Sequence, residues 1–374
     1  MNKRLIHSII FLSILLIASC TKKQEQATEK KSDLIKYADK LSIKHNHGYT
    51  EVTVEVAKNE FQKYILYSEN YPDSLKADAF IRIPVDKVIC TSTSHLPAFD
   101  LLKSEDKLIG FPGTKWIYDS SLRTMVKENK LSDVGIKQEL NIEKILNLQP
   151  DIFMTYSMPN SQSKYDLIKA SNISVIYNAD FMETSPLGRA EWIKFTGLLL
   201  NKYDEADSIF TAIEQNYIQL SSEIQPTDKH PRVMTGIIYG DTWYVPGGKS
   251  YAAKFIEDAG GNYLWSDNKE SGSLMLGFEN VLQKASKADL WIGVGSFNTY
   301  DELANADERY TYFESFQEKH IYSYTKRMNE FGSNDYLESG YSRPDLVLSD
   351  YIKMLHPELD FSKQAEFHYF ESLK

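Results

Sequence analysis

The stretch Asn141-Ile142-Glu143-Lys144-Ile145-Leu146-Asn147-Leu148-Gln149-Pro150-Asp151-Ile152-Phe153-Met154-Thr155-Tyr156 spells out one α/β unit. Asn141 to Leu148 has helical spacing, with Glu143 in the first turn, where a carboxylate suits the helix dipole. Pro150 ends the helix, and Asp151 to Tyr156 is an apolar run of strand length. The same order recurs at Gly277-Phe278-Glu279-Asn280-Val281-Leu282, which leads through Ala288-Asp289 into Leu290 to Val294. The connection in the second copy is two residues longer.

Short strands alternate with helix-length segments on both sides of these units. Lys87–Thr91, Lys107–Gly110 and Ser174–Tyr177 read as strands, and Leu96–Leu102 as a helix. Further on, Arg232–Tyr239, Ala288–Gly295 and Ile321–Tyr324 read as strands, and Tyr251–Ala259 and Pro344–Leu355 as helices. Such alternation predicts parallel sheets covered by helices. Between the halves, Glu191 to about Glu223 keeps helical spacing with Gly197 as its only breaker. An unbroken helix of about 30 residues would run roughly 45–50 Å. The fold class expected is therefore α/β, with two Rossmann-like lobes of parallel sheet joined by one long helix.

The N-terminal region differs. Lys3 and Arg4 precede an apolar run, Leu5 to Ala18, which is short for a bilayer span. It closes on Ile17-Ala18-Ser19-Cys20, which resembles a bacterial lipobox, so Cys20 is the expected lipidation site and residues 1–19 the signal peptide. Residues 20–45 read as a solvated, lipidated tether. In residues 46–79, Thr50 to Val56 alternates at period two and Gln62 to Ser68 is a second candidate strand, giving a β-like extension. The N-lobe is expected over 80–187, the linker helix over 188–225 and the C-lobe, with its closing helix, over 226–374.

Composition narrows the function. A formal net charge of −10 is unlike the basic surface that nucleic acid requires. With Cys20 lipidated, Cys90 is left alone in the apolar Val88-Ile89-Cys90, as a buried inert thiol. Gly248-Lys249-Ser250 mimics the end of a phosphate-binding loop, but Trp243 stands where its first glycine belongs. Gly293-Val294-Gly295 lacks the third glycine of a dinucleotide fingerprint. Ser94 and His95 are adjacent, which is no nucleophile–base arrangement. His45 and His47 stand in a polar segment without further ligands, so no protein-held metal site and no resident cofactor are expected. An enzyme would need a convergent catalytic set, and the sequence presents none.

Several motifs in fixed order carry a resemblance over about residues 80–360. They are Val88-Ile89-Cys90-Thr91-Ser92-Thr93-Ser94-His95, Asn141-Ile142-Glu143 with Leu148-Gln149-Pro150-Asp151-Ile152, and Val245-Pro246-Gly247-Gly248-Lys249-Ser250. Asp258-Ala259-Gly260-Gly261-Asn262 and Arg343-Pro344-Asp345-Leu346-Val347-Leu348 with Leu355-His356-Pro357-Glu358 complete the set. The chain resembles the substrate-binding proteins of ABC importers for ferric siderophores, haem and vitamin B12, whose lobes are bridged by one long helix. The extension before residue 80 departs from the shorter members.

The resemblance implies a non-enzymatic binder that closes on a metal chelate, a ferric siderophore first and cobalamin or haem second. It implies a monomer held to the cell envelope by lipid, on the periplasmic side, with an ABC permease and ATPase as partners. A capture lipoprotein without an ABC partner is the rival reading. In the family one exposed Glu per lobe docks on the permease, and Glu143 and Glu279 match those positions. Carboxylate–guanidinium pairs are directional, so two of them fix orientation. The ligand is expected at the loops following the strands. Candidates are Ser94, His95, Trp116 and Tyr156 from the first lobe, and Tyr239, Trp243, Tyr244, Phe297 and Arg327 from the second. Aromatic walls suit a flat chelate, and Arg327 or Lys115 could pair with its anionic groups.

Overall fold

The structure is a computed structural model that describes residues 34–136, 139–157, 165–224 and 229–374. The expected signal peptide, Cys20 and the first part of the tether lie outside the described residues.

Two lobes each carry a sheet built from the apolar runs of the sequence. In the first lobe five parallel strands lie in the order Ser174–Tyr177, Ile152–Thr155, Val88–Cys90, Leu108–Phe111 and Ser132–Asp133. The strands Val88–Cys90 and Ile152–Thr155 are buried along their whole length, which is why they read as continuous apolar runs rather than alternating ones. In the second lobe Asn262–Tyr263, Arg232–Thr235, Leu290–Ile292 and Ile321–Ser323 are parallel. Glu371–Ser372 closes that edge antiparallel. Beside it stands a three-stranded antiparallel sheet of Ile237–Tyr239, Thr242–Pro246 and Ser273–Leu276.

The predicted extension is larger than its sequence signal. Leu41–Asn46, Tyr49–Ala57, Glu60–Tyr67 and Ala79–Arg82 form one four-stranded sheet. Its inward residues, Ile43, Val52, Val54, Tyr64 and Leu66, belong to the hydrophobic core of the first lobe. Tyr64 stacks on Phe195 at 6.2 Å, and its hydroxyl accepts the Tyr177 amide at 2.9 Å. The sheet is thus part of the first lobe's core.

Two further expectations are corrected. The linker is not one helix but two, Ile193–Leu199 and Tyr203–Ile224. The break falls at Asn201, whose φ of 56° is left-handed, and the Lys202 amide bonds the Gly197 carbonyl at 2.7 Å. The second helix then folds back on the first. A Cβ at Gly197 would lie 2.5 Å from that of Ala206, so the glycine permits the crossing. The second helix has 22 residues and spans roughly 33 Å. It still bridges the lobes, placing Ala206 and Phe210 in one core and Tyr217 and Ile224 in the other.

The tether, expected to be solvated to residue 45, is packed from residue 34. Ile35 and Ala38 are buried, and two buried carboxylates seize the backbone between them. Glu191 accepts the amides of Lys36, Tyr37 and Ala38 at 2.7–2.9 Å, and Glu183 those of Asp39 and Lys40 at 2.9 Å. Lys194 binds both Glu191 and the Leu34 carbonyl. Tyr37 packs against both cores, and its hydroxyl bonds Glu214 of the long helix. The segment is therefore a strap across the joint between the lobes. Much of its attachment is made by backbone amides, beside the packed side chains of Ile35, Tyr37 and Ala38, so the polar composition of the segment does not reveal it.

Replacing Glu191 by Ala strips the acceptor from the Lys36, Tyr37 and Ala38 amides and one of the three partners from the Lys194 ammonium, which keeps the Leu34 carbonyl and Asp207. The expected loss is about 2–4 kcal/mol of unfolding free energy, the cost of leaving three backbone donors without their acceptor and weakening one ion pair. Urea denaturation checks it, with the exposed Asp73→Ala variant expected to stay at the wild-type midpoint.

Candidate functional site

In each lobe the first strand lies inside its sheet, and the following strands are laid on one side and then the other. Loops part at that reversal, between the strands at 88–90 and 152–155 in the first lobe and between those at 232–235 and 290–292 in the second. A cavity of about 1090 Å³ opens at the first of these points. Its floor is Thr91, Ser92, Thr93 and Ser94, the residues that continue the strand from Cys90. Its walls are Phe111, Pro112, Trp116, Tyr156 and Phe181. Leu337 and Tyr341 enter from the second lobe, so the cavity lies between lobes. The Thr91 hydroxyl bonds Thr155, and Ser92 bonds Ser94, each at 2.9 Å, which fixes the floor.

Trp116 is aimed by its turn. Asp133 accepts the Gly113 and Thr114 amides and the Thr114 hydroxyl at 3.0–3.3 Å. Burial pushes this carboxyl up, but these bonds and one from Gly135 outweigh it and hold the pKa below the usual value. The indole, stacked beside Lys115 at 5.0 Å, is left partly exposed in the cavity. Arg189 also lines the cavity, from the short helix Pro186–Ala190. Its guanidinium lies 3.5 Å from the ring centre of Tyr341.

Residues 88–328 match the model of the family described as Periplasmic binding protein. The chain belongs to that family. An uncharacterized lipoprotein of Methanocaldococcus jannaschii is 26% identical over 325 residues, 82% of this chain and 75% of the relative. A periplasmic binding protein from Veillonella parvula superposes with a TM-score of 0.60 at 13% identity, over 82% of this chain and 98% of that one. A periplasmic haem binding protein of Vibrio cholerae gives 0.55 at 17% identity, over 70% and 99%. The cavity between the lobes is concave and largely aromatic, as the small-molecule sites of binding proteins are.

The binding protein places the residues singled out in the sequence unequally. Ser94, Trp116 and Tyr156 line the cavity together. His95 does not: its ring is fully buried beneath the floor, with no hydrogen bond of normal geometry. Trp243 is also withdrawn. It is wholly buried in an aromatic cluster with Trp291, Tyr310 and Phe313 at 5.4–5.5 Å, and its Nε1 bonds the Thr235 carbonyl. Neighbours on a strand face opposite ways, so Trp243 and Tyr244 could not share a wall. Tyr244 and Tyr239 point outward from the small antiparallel sheet, Tyr239 being 80% exposed. Phe297 packs against the second core. None of these three lines the cavity.

Arg327 lies elsewhere, bonded to Asp335 at 2.6 Å and lying 5.6 Å over the Tyr118 ring. It lines a second, polar cavity of about 610 Å³ on the seam between the lobes. That seam is held by Glu338 of the second lobe, which accepts the amides of Tyr118 and Asp119 at 2.8 and 2.9 Å. Ser333 donates to the Lys115 carbonyl, Asn329 to that of Ile117, and Arg123 pairs with Glu330. The sequence pointed to none of these contacts, nor to Phe181, Arg189 and Tyr341.

Glu143 and Glu279 occupy equivalent places. Each begins a helix, Ile142–Leu148 or Phe278–Ala285, that runs into the strand just across the reversal from the first strand of its lobe. A crossover helix runs antiparallel to its strand, so both first turns lie at the edge where the cavity opens. Both carboxylates are exposed and form no salt bridge among the described residues.

Burial pushes the Glu338 carboxyl up to about 7, although the two amides that bond it pull the other way. Its usual value is near 4.5. The joined seam therefore binds a proton more tightly than the separated lobes do. This contribution is fully present below about pH 4.5 and is lost as pH rises through about 7. Stability measured by denaturation is expected to fall between about pH 4.5 and 7 and to level off above, by at most about 3 kcal/mol from this group. The Glu338→Gln variant should flatten that slope relative to wild type.

Proposed function

We propose that this binding protein, lipid-anchored through Cys20 on the periplasmic side, captures an iron chelate between its lobes and hands it to an ABC permease. The observation that carries the reading is the 1090 Å³ cavity at the reversal point of the first lobe, roofed by the second. It slightly exceeds the roughly 300–1,000 Å³ of ordinary small-molecule sites. Its aromatic walls, Trp116, Tyr156, Phe181 and Tyr341, suit a bulky ligand with planar faces, and its hydroxyl floor suits polar edges. A ferric siderophore is the first choice. Haem is favoured next, by the likeness to the Vibrio cholerae haem binding protein, and cobalamin is the remaining alternative.

Delivery is assigned to Glu143 and Glu279. Two unpaired carboxylates at equivalent points of two lobes, both at the open edge, make a two-point acidic footprint for basic pockets on a paired permease.

Absorbance titration with a ferric catecholate, haemin and cyanocobalamin tests capture, and tight binding of one is expected. Charge reversal at both Glu143 and Glu279 tests delivery. Uptake should fall to background while chelate affinity stays within about twofold, because rim charges act on docking rather than on the cleft. Uptake unchanged by the double reversal would remove the importer reading.

A further inference from the structure

Arg189 stands in an unfinished environment. Its side chain is about nine-tenths buried, yet among the described residues the guanidinium donates no hydrogen bond. The nearest carboxylate, Asp180, is 3.8 Å from its Nε, beyond bonding distance. The other side of that carboxylate is equally loose: Oδ1 lies 3.8 Å from His95 Nε2 and has no partner. The guanidinium is flanked instead by two aromatic faces of the second lobe, Tyr341 at 3.5 Å and Tyr251 at 5.1 Å. It lines the cavity at the joint between the lobes, since its helix Pro186–Ala190 immediately precedes the linker helices.

A buried cation without hydrogen bonds is costly, and cation–π contacts offset only part of that cost. Asp180 balances the charge without taking the donors. The stacked guanidinium is held flat, with its donors free at the cavity wall. Such a planar fork matches an oxyanion with two acceptor atoms.

We propose that Arg189 is the specificity residue of the cleft and holds an oxyanion of the ligand, a carboxylate or catecholate, at the hinge end. Asp180 serves as its counter-ion while the cleft is empty. The ligand's anionic edge then points to the hinge and its planar body lies along Trp116, Tyr156 and Phe181. Because the same guanidinium rests on Tyr341 of the second lobe, the oxyanion is gripped where the two lobes meet. This inference rests on the chelate-binding reading of the same cavity.

The test compares anionic and neutral forms of like size: a ferric tris-catecholate against a neutral ferric tris-hydroxamate, and haemin against its dimethyl ester. Wild-type protein should prefer the anionic member of a pair by roughly 10–100-fold, the worth of a charge-assisted bond. The double variant Arg189→Met/Asp180→Asn removes both buried charges together. It should keep the wild-type thermal midpoint within a few degrees and bind the neutral member as wild type does, with the preference gone. Arg189→Lys should keep part of the preference, as a point charge without the fork. A preference unchanged in the double variant, or equal weakening of both members, overturns the assignment while the chelate-binding reading stands. Binding of none of the four probes to wild type overturns that reading and this inference with it.

Discussion

Parallel strands must be joined by crossovers, and a crossover has to pass over one face of the sheet or the other. In both lobes the chain lays its first strand in the interior and then reverses the direction in which strands are added. The loops on either side of that reversal part, and a crevice is unavoidable there. The position of the candidate cavity follows from that constraint. The floor Thr91–Ser94 and the wall residue Tyr156 are the two parted loops of the first lobe. Glu143 and Glu279 begin the helices that feed the strands just across the reversal, which explains why two similar sequence units end at the same edge.

The lobes are then held in register by buried carboxylates that accept backbone amides. Glu183 and Glu191 grip the strap at 36–40 on the hinge side, and Glu338 grips Tyr118 and Asp119 on the seam. Carboxylates accept several N–H bonds at once, which lets one side chain fasten several successive backbone amides. The three differ in consequence. Glu338 sits on the seam between the two lobes, and its raised pKa makes that joint sensitive to pH up to about neutrality. Glu183 and Glu191 fasten a strap to the linker region, and Tyr37 within it touches both cores.

The buried strands at 88–90, 108–111, 152–155, 174–177, 290–292 and 321–323, the closing helix Pro344–Leu355 and the paired units at 141–156 and 277–294 were legible because period, punctuation and burial agree there. The single strand expected over Arg232–Tyr239 is instead split at Gly236, whose φ is 80°, into two strands of different sheets. The linker was misread as a single helix because the left-handed turn at Asn201 leaves no Pro and only Gly197 as a trace. The strap was misread as solvated because its attachment uses backbone groups, which composition does not record. Within the site, residues next to strand ends were found when the strand was short and buried, as with Ser94 and Tyr156. Trp243 was misplaced because it and Tyr244 were expected in a loop after the strand at 232–239, whereas both lie on the strand Thr242–Pro246, whose alternation sends them to opposite faces. Arg189, Leu337 and Tyr341 come from turns whose positions depend on how the lobes meet, and no local pattern marks them.

The central claim is that solute is held between the lobes, against the loops of the first reversal point. Hydrogen–deuterium exchange of the full chain, with saturating ferric catecholate, haemin or cyanocobalamin, tests it most directly. The account predicts that at least one of these slows exchange at 91–94, 111–116 and 337–341 together, on both lobes, while the sheet at 41–82 is unchanged. Absence of protection at those segments with all three, or protection confined to another surface, would contradict it.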